Sequence, residues 1–168
     1  MEMIERLASF PAKLRAWTES TPRLCERSSD GNFALVEHAW HLADLERDYG
    51  ARLERIVKED EPSWADFDGE RVAEERNYMA LPLPDALREF EAARAANVLR
   101  MRAASEGDWS RSGHHDGKRR MTFGEVVAAM DGHDADHSGQ IENLLRELGI
   151  GVGGGALPPS LDSEGSGD

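Results

Sequence analysis

From Thr122 to Leu148 the chain carries one apolar stripe of helical period, Phe123, Val126, Met130, Ile141, Leu144 and Leu148, with His133 and His137 in its middle. Residues three and four apart share a helix face, so the segment reads as an amphipathic helix that turns two imidazoles inward, one turn apart. No other feature constrains the fold as strongly. A buried imidazole pair leaves ring nitrogens in need of partners, and a shared metal ion satisfies two of them at once. A facing helix then has to supply only one more nitrogen to complete a three-nitrogen site. Exposed HxxxH pairs are common, and Asp134 stands where an HExxH motif has its catalytic glutamate, so the pattern is not that of a zincin. Thr122 and Glu125 form a TxxE capping box at the start of this helix, with Met121 and Val126 placed as its hydrophobic staple.

Three further helices of similar period precede it. One covers about residues 3–20, with Ile4, Leu7, Leu14 and Trp17 on a stripe and Pro11 expected to kink it. The turn-rich RSSDGN stretch separates it from a second helix over about residues 33–59, in which Leu35, His38, Leu42, Leu45, Tyr49, Leu53 and Ile56 recur at three-and-four spacing. A third begins near Pro84 and places Leu87, Phe90, Arg94, Val98 and Met101 on one face. Between the second and third, residues 60–83 hold Trp64, Phe67 and Tyr78, too aromatic for a free linker, and are expected to fold over the bundle with a short helix near 68–77. Residues 107–121 read as a long loop. The fold expected is therefore all-α: a four-helix bundle over residues 1–150, with a helical or irregular connection between its second and third helices. Residues 151–168 are rich in Gly, Pro and Ser and read as a flexible acidic tail that adds little stability.

Composition narrows the function classes. The 168 residues suffice for one domain with a substantial core. With 33 acidic residues against 20 basic ones, a net charge of −13 repels phosphate backbones, and Lys118-Arg119-Arg120 is too short a basic run to reverse that, so no nucleic-acid partner is expected. No apolar run approaches the roughly 20 residues that span a bilayer, so no membrane partner is expected either. The opening MEMIERLASF does not read as an export signal, and the single cysteine, Cys25, has no internal disulfide partner. Together these point to a reducing cytoplasm.

The third imidazole is open on periodicity alone. His38 lies on the apolar stripe of the second helix and His41 beside it, which slightly favours His38. Glu37 is a candidate general base, an outer acceptor for a ligand or a fourth ligand, and equally a first-turn carboxylate favoured by the helix dipole. Asp44 reads as solvated. Arg94 needs a carboxylate partner if buried and otherwise extends outward. His114 and His115, in a glycine-flanked loop, read as solvated or at the rim of a site. Cys25 has no nearby histidine to activate it as a nucleophile.

In order along the chain, FALVEHAWHLAD (33–44), AEERNY (73–78), the stretch around Arg94, DWSRSGHH (108–115), TFGE (122–125) and HDADHSGQI (133–141) resemble the conserved segments of the DinB/YfiT-like superfamily, among them its ExxxHLxD and HDxxHxxQI motifs. The resemblance spans about residues 4–148. It implies a compact four-helix bundle, often a homodimer, with a divalent metal held by three histidines, which by position are His41, His133 and His137. Zinc or nickel are the first candidates for that metal, then iron or manganese. Two departures lie at the rim: Phe33-Ala34 replaces the family's aromatic and Ser/Thr pair, leaving Asn32 to cap the second helix, and the spacing around Gly117 is irregular.

Family members include S-transferases using low-molecular-weight thiols, a thiol-dependent isomerase and proteins described as hydrolases. Fold alone therefore does not set the reaction. The leading expectation is thiol-dependent S-transfer to a small-molecule substrate at the three-histidine site, with Glu37 as the candidate catalytic residue. The alternatives are metal-dependent hydrolysis and a non-catalytic binding or stress-response module in which the metal only staples two helices. A closed structural site would need a fourth protein ligand, His38 or Glu37.

Overall fold

The computed structural model describes residues 2–151, so nearly all of the expected tail, residues 152–168, lies outside the described residues. Four long helices form the bundle: α1 (Glu2–Glu19), α2 (Leu35–Lys58), α4 (Leu83–Ala103) and α6 (Phe123–Glu147). Between α2 and α4 come β1 (Ser63–Trp64), the short helix α3 (Gly69–Arg76) and a single 3-10 turn at Tyr78–Ala80. Between α4 and α6 come α5 (Glu106–Ser110) and the strands β2 (Ser112–His115) and β3 (Arg119–Thr122). Pro11 sits inside α1, buried, and does not end the helix.

Each of α1 and α2 packs on both α4 and α6, so α1 and α2, consecutive bundle helices, stand at opposite corners. Short connections would make consecutive helices neighbours; the long segments 20–34 and 104–122 allow a diagonal crossing instead. Residues 107–121 are not the expected loop. They form α5 and a β2–β3 hairpin whose turn places Asp116 and Gly117 at φ of 52° and 65°, as a type I′ turn requires. β1 pairs in parallel with β2, Ser63 opposite His114 and Trp64 opposite His115, which ties the connection between α2 and α4 to the hairpin.

The caps explain most element ends. Thr122 Oγ1 accepts from the Glu125 N–H at 3.1 Å while the Glu125 carboxylate accepts from the Thr122 N–H at 2.7 Å, the expected capping box of α6. The α2 cap departs from expectation: Ala34 is the cap residue and Glu37 alone reaches back, accepting from the Ala34 N–H at 2.9 Å. Asn32 instead bonds Asp30. At the end of α6, Gly149 at φ 71° donates to the Arg146 carbonyl and Ile150 to the Leu145 carbonyl, a Schellman closure. Ile150 also packs on the core, so the bundle extends through the first two residues past Leu148.

Two apolar clusters make up the core. One gathers Phe10, Leu14, Trp17, Trp40, Tyr78, Phe90, Ile141 and Leu144, the other Leu7, Leu53, Ile56, Met101, Phe123, Val126 and Met130. Along α4 and α6 the switch from one cluster to the other falls at buried polar residues, Arg94 and Asn97 on α4 and Asp134 and His137 on α6. On α2, Glu46 and Arg52 occupy the same interval. The bundle thus carries a polar layer between its two apolar ends, and the histidines belong to it.

Candidate metal centre

His41 from α2 and His133 and His137 from α6 converge. The Nε2 of His133 lies 3.2 Å from the Nε2 of His41 and 3.1 Å from the Nε2 of His137. Among the described residues these three form a group able to hold one ion. Nitrogens bound at about 2.0–2.1 Å around a tetrahedral ion stand roughly 3.3 Å apart, so the donor set and its spacing fit a divalent metal. Burial, helped at His41 and His137 by repulsion from the neighbouring imidazoles, keeps the rings neutral and able to ligate, with His41 and His133 lowered to about 4 and His137 to about 2.

His38 takes a different place from the one periodicity favours. It is fully buried one turn before His41, and its Nδ1 lies 2.8 Å from the Nδ1 of His137, on the side of that ring away from the cluster. The pairs His38 with His137 and His41 with His133 form two rungs between α2 and α6 and set the two helices antiparallel.

Aromatic rings and a glycine enclose His41. Phe33 meets the rings of His38 and His41 edge-on at 5.7 and 5.6 Å, and Phe67 meets His41 at 5.8 Å. A Cβ on Gly69 would lie 2.5 Å from Cε1 and 2.8 Å from Nδ1 of His41. The Gly69→Ala variant is therefore expected to push the ring aside and weaken zinc binding by about tenfold, measured by competition titration. Unchanged affinity would show that the start of α3 yields freely. Neither Phe67 nor Gly69 was singled out for the site by its sequence position.

The buried carboxylates near the histidines, Glu37, Asp44, Glu46 and Asp134, are engaged. Glu37 accepts from Arg27 Nε at 2.8 Å and caps Ala34 with the same oxygen, while its other oxygen pairs with the Arg27 guanidinium. Asp44, expected to be solvated, is buried; it accepts from the Tyr78 hydroxyl at 2.6 Å and pairs with Arg47 and Arg76. Asp134 forms a double hydrogen bond with Arg94, at 2.6 and 3.0 Å, and Arg94 also donates to Glu46 at 2.8 Å. Asn97 donates to the other oxygen of Glu46 at 2.8 Å. Burial disfavours the Arg94 charge, but the bonds and attraction of Asp134 and Glu46 outweigh it and hold the guanidinium above its ordinary range. Arg94 thus has the carboxylate partner that burial demands. Glu46 went unremarked in the sequence, although it falls at helical spacing between Leu42 and Leu53, where a charge on an apolar stripe signals a buried partner.

His114 and His115 lie in β2, facing Glu61 at 3.4 Å and Asp66 at 3.1 Å, at the edge of the segment that carries Phe67. Cys25 is exposed. No helix of the described residues is long and apolar enough to cross a membrane.

The sequence matches the model of the DinB superfamily over residues 6–141. Its fold is similar to a solved structure described as YfiT from Bacillus subtilis, a probable metal-dependent hydrolase with an unusual four-helix bundle topology. That match has a TM-score of 0.82 at 21% identity, covering 89% of this chain and 87% of that one. A comparison with curated proteins gives no match.

Proposed function

Because this chain belongs to the DinB superfamily, we propose that it is a metal-dependent enzyme that uses a low-molecular-weight thiol as nucleophile toward a small electrophilic substrate. The observation that carries the reading is the convergence of three neutral imidazole nitrogens, on His41, His133 and His137, with no fourth protein ligand in the group among the described residues. Those three residues would hold the ion, and a divalent ion so held lowers the pKa of a coordinated thiol or water toward neutrality. Zinc and nickel suit an all-imidazole set, as do iron and copper.

The protein's own residues prepare the nucleophile's surroundings. Phe33 and Phe67 place apolar rings against His41 and restrict water around it. Glu37, Asp44 and Asp134 are each bound to arginine, so none stands free to take a proton from water. In this reading Glu37 caps α2 and holds Arg27 rather than serving as general base. Thiol chemistry tolerates that arrangement better than hydrolysis does, since an ionised thiol needs no base in the bond-forming step.

Hydrolysis is the second reading, supported by the likeness to YfiT and its description as a probable metal-dependent hydrolase. Metal-loaded protein is expected to accelerate conjugation of an electrophile only when thiol is supplied, with no acceleration by the metal-free form. Thiol-independent cleavage of esters or amides would instead establish the second reading. Inactivity in both assays, with a fourth protein ligand found on the metal, would leave a metal that only joins α2 to α6.

A further inference from the structure

We propose that His38 is a positioning residue: it orients His137 toward the nitrogen cluster and sets which of that ring's nitrogens carries the proton. The inference rests on the metal-centre reading above and extends it to a residue outside the ligand set.

A neutral imidazole has one N–H and one lone pair. His137 directs Nε2 into the cluster, 3.1 Å from His133 Nε2, so ligation there requires its proton on Nδ1. The Nδ1 of His38 lies 2.8 Å away and is placed to accept it. His38 must then carry its own proton on Nε2, and that atom is buried without a hydrogen-bond partner among the described residues. Leaving a buried N–H unpaired is unfavourable, and a residue needed only for packing would not impose it, since leucine fills such a place without the penalty. The arrangement makes sense if the bond to His137 is what the residue supplies.

Two of the ligands, His41 and His137, are oriented by different means. His41 has a buried Nδ1 with no partner among the described residues and is held by contact, with Gly69 and Phe67 against its ring. His137 is held by a directional bond from an element other than its own. Metal-bound histidines usually donate their second N–H to a carboxylate, carbonyl or water, which raises the ligand's basicity. A neutral imidazole acceptor fixes the ring equally well while adding less charge to it.

The test compares zinc binding by the full chain, wild type, His38→Leu and His38→Asn, with nitrogen-15 spectra of the histidine side chains. Asparagine keeps an acceptor oxygen at the position of Nδ1; leucine keeps the bulk and loses the acceptor. The wild type is expected to bind one zinc per chain, with the His137 proton on Nδ1 and the His38 proton on Nε2. His38→Leu should retain that stoichiometry and lose about 10- to 100-fold in affinity, and His38→Asn should recover most of the loss. Equal affinity in wild type and leucine variant, an asparagine variant no better than leucine, a His137 proton on Nε2, or a fourth imidazole bound to the metal would each overturn the proposal. If the leucine variant fails to fold, the proton positions in the wild type and the affinity of the asparagine variant decide. Failure of the wild type to bind zinc would overturn the metal-centre reading as well, whereas normal wild-type binding with indifferent His38 variants overturns this inference alone.

Discussion

Replacing His133 and His137 together by alanine is expected to abolish stoichiometric binding of a divalent metal, and His41→Ala alone should do the same. Two of the three converging nitrogens come from one face of α6 and the third from α2, so the double replacement leaves one of the three and the single replacement leaves only the adjacent pair on α6. The measurement is metal content per chain after zinc loading and desalting. A double variant that keeps one ion per chain would sink the assignment. The metal-free protein should also respond to acid in a defined direction. His41 and His133 titrate at about 4 when folded and near 6.5 when unfolded, because burial opposes their charge. The unfolded chain therefore takes up protons first, and stability falls as pH drops from about 6.5 to about 4. In the double variant only His38 and His41 of the four buried imidazoles remain to contribute, so the acid loss should be shallower.

The second large effect concerns stability. Arg94 is 2% exposed and joins Glu46, also 2% exposed, to Asp134. Arg94→Met keeps the volume and removes the charge, stranding two carboxylates in the polar layer. Breaking a buried pair in this way costs about 3–5 kcal/mol, which for a domain of this size lowers Tm by about 10 °C. Urea unfolding of Arg94→Met alone and combined with Glu46→Gln and Asp134→Asn separates the causes. The triple variant should be more stable than the single one, because its carboxylates no longer need a counter-charge. A loss below about 1 kcal/mol in the single variant, the range of an exposed pair, would show that water reaches the layer and that the network is not a buried one.

Much of the bundle was legible in the chain because the signals are local. The stripe of α6, its capping box and the terminal Gly149 lie within a few residues of what they determine, and α2 and α4 follow the same period. The β2–β3 hairpin has a local signal in Asp116-Gly117, a dipeptide suited to a type I′ turn, but the flanking SGHH and RRMT lack the apolar alternation that marks a strand. Asp44 looked like a solvated carboxylate because its partners Tyr78 and Arg76 arrive from another element. Glu37 looked available as a base for the same reason: Arg27 lies in the irregular segment before α2, where no period announces it.

The sequence by itself determined that four long amphipathic helices would form, that His133 and His137 would share a face, and that a buried Arg94 would require a carboxylate. Those follow from the 3.6-residue turn and from the cost of an unpaired charge, both independent of where the other helices lie. Only the tertiary structure decided that His41 meets His133 while His38 meets His137, that Glu46 joins Asp134 on Arg94, and that Phe67 and Gly69 close over His41. His38 and His41 lie within one turn of the same helix, and a small rotation or slide of α2 against α6 exchanges their partners. That relative placement is set by the fit of the two apolar clusters on either side of the polar layer, a sum over side chains from all four bundle helices that no single stretch of sequence contains.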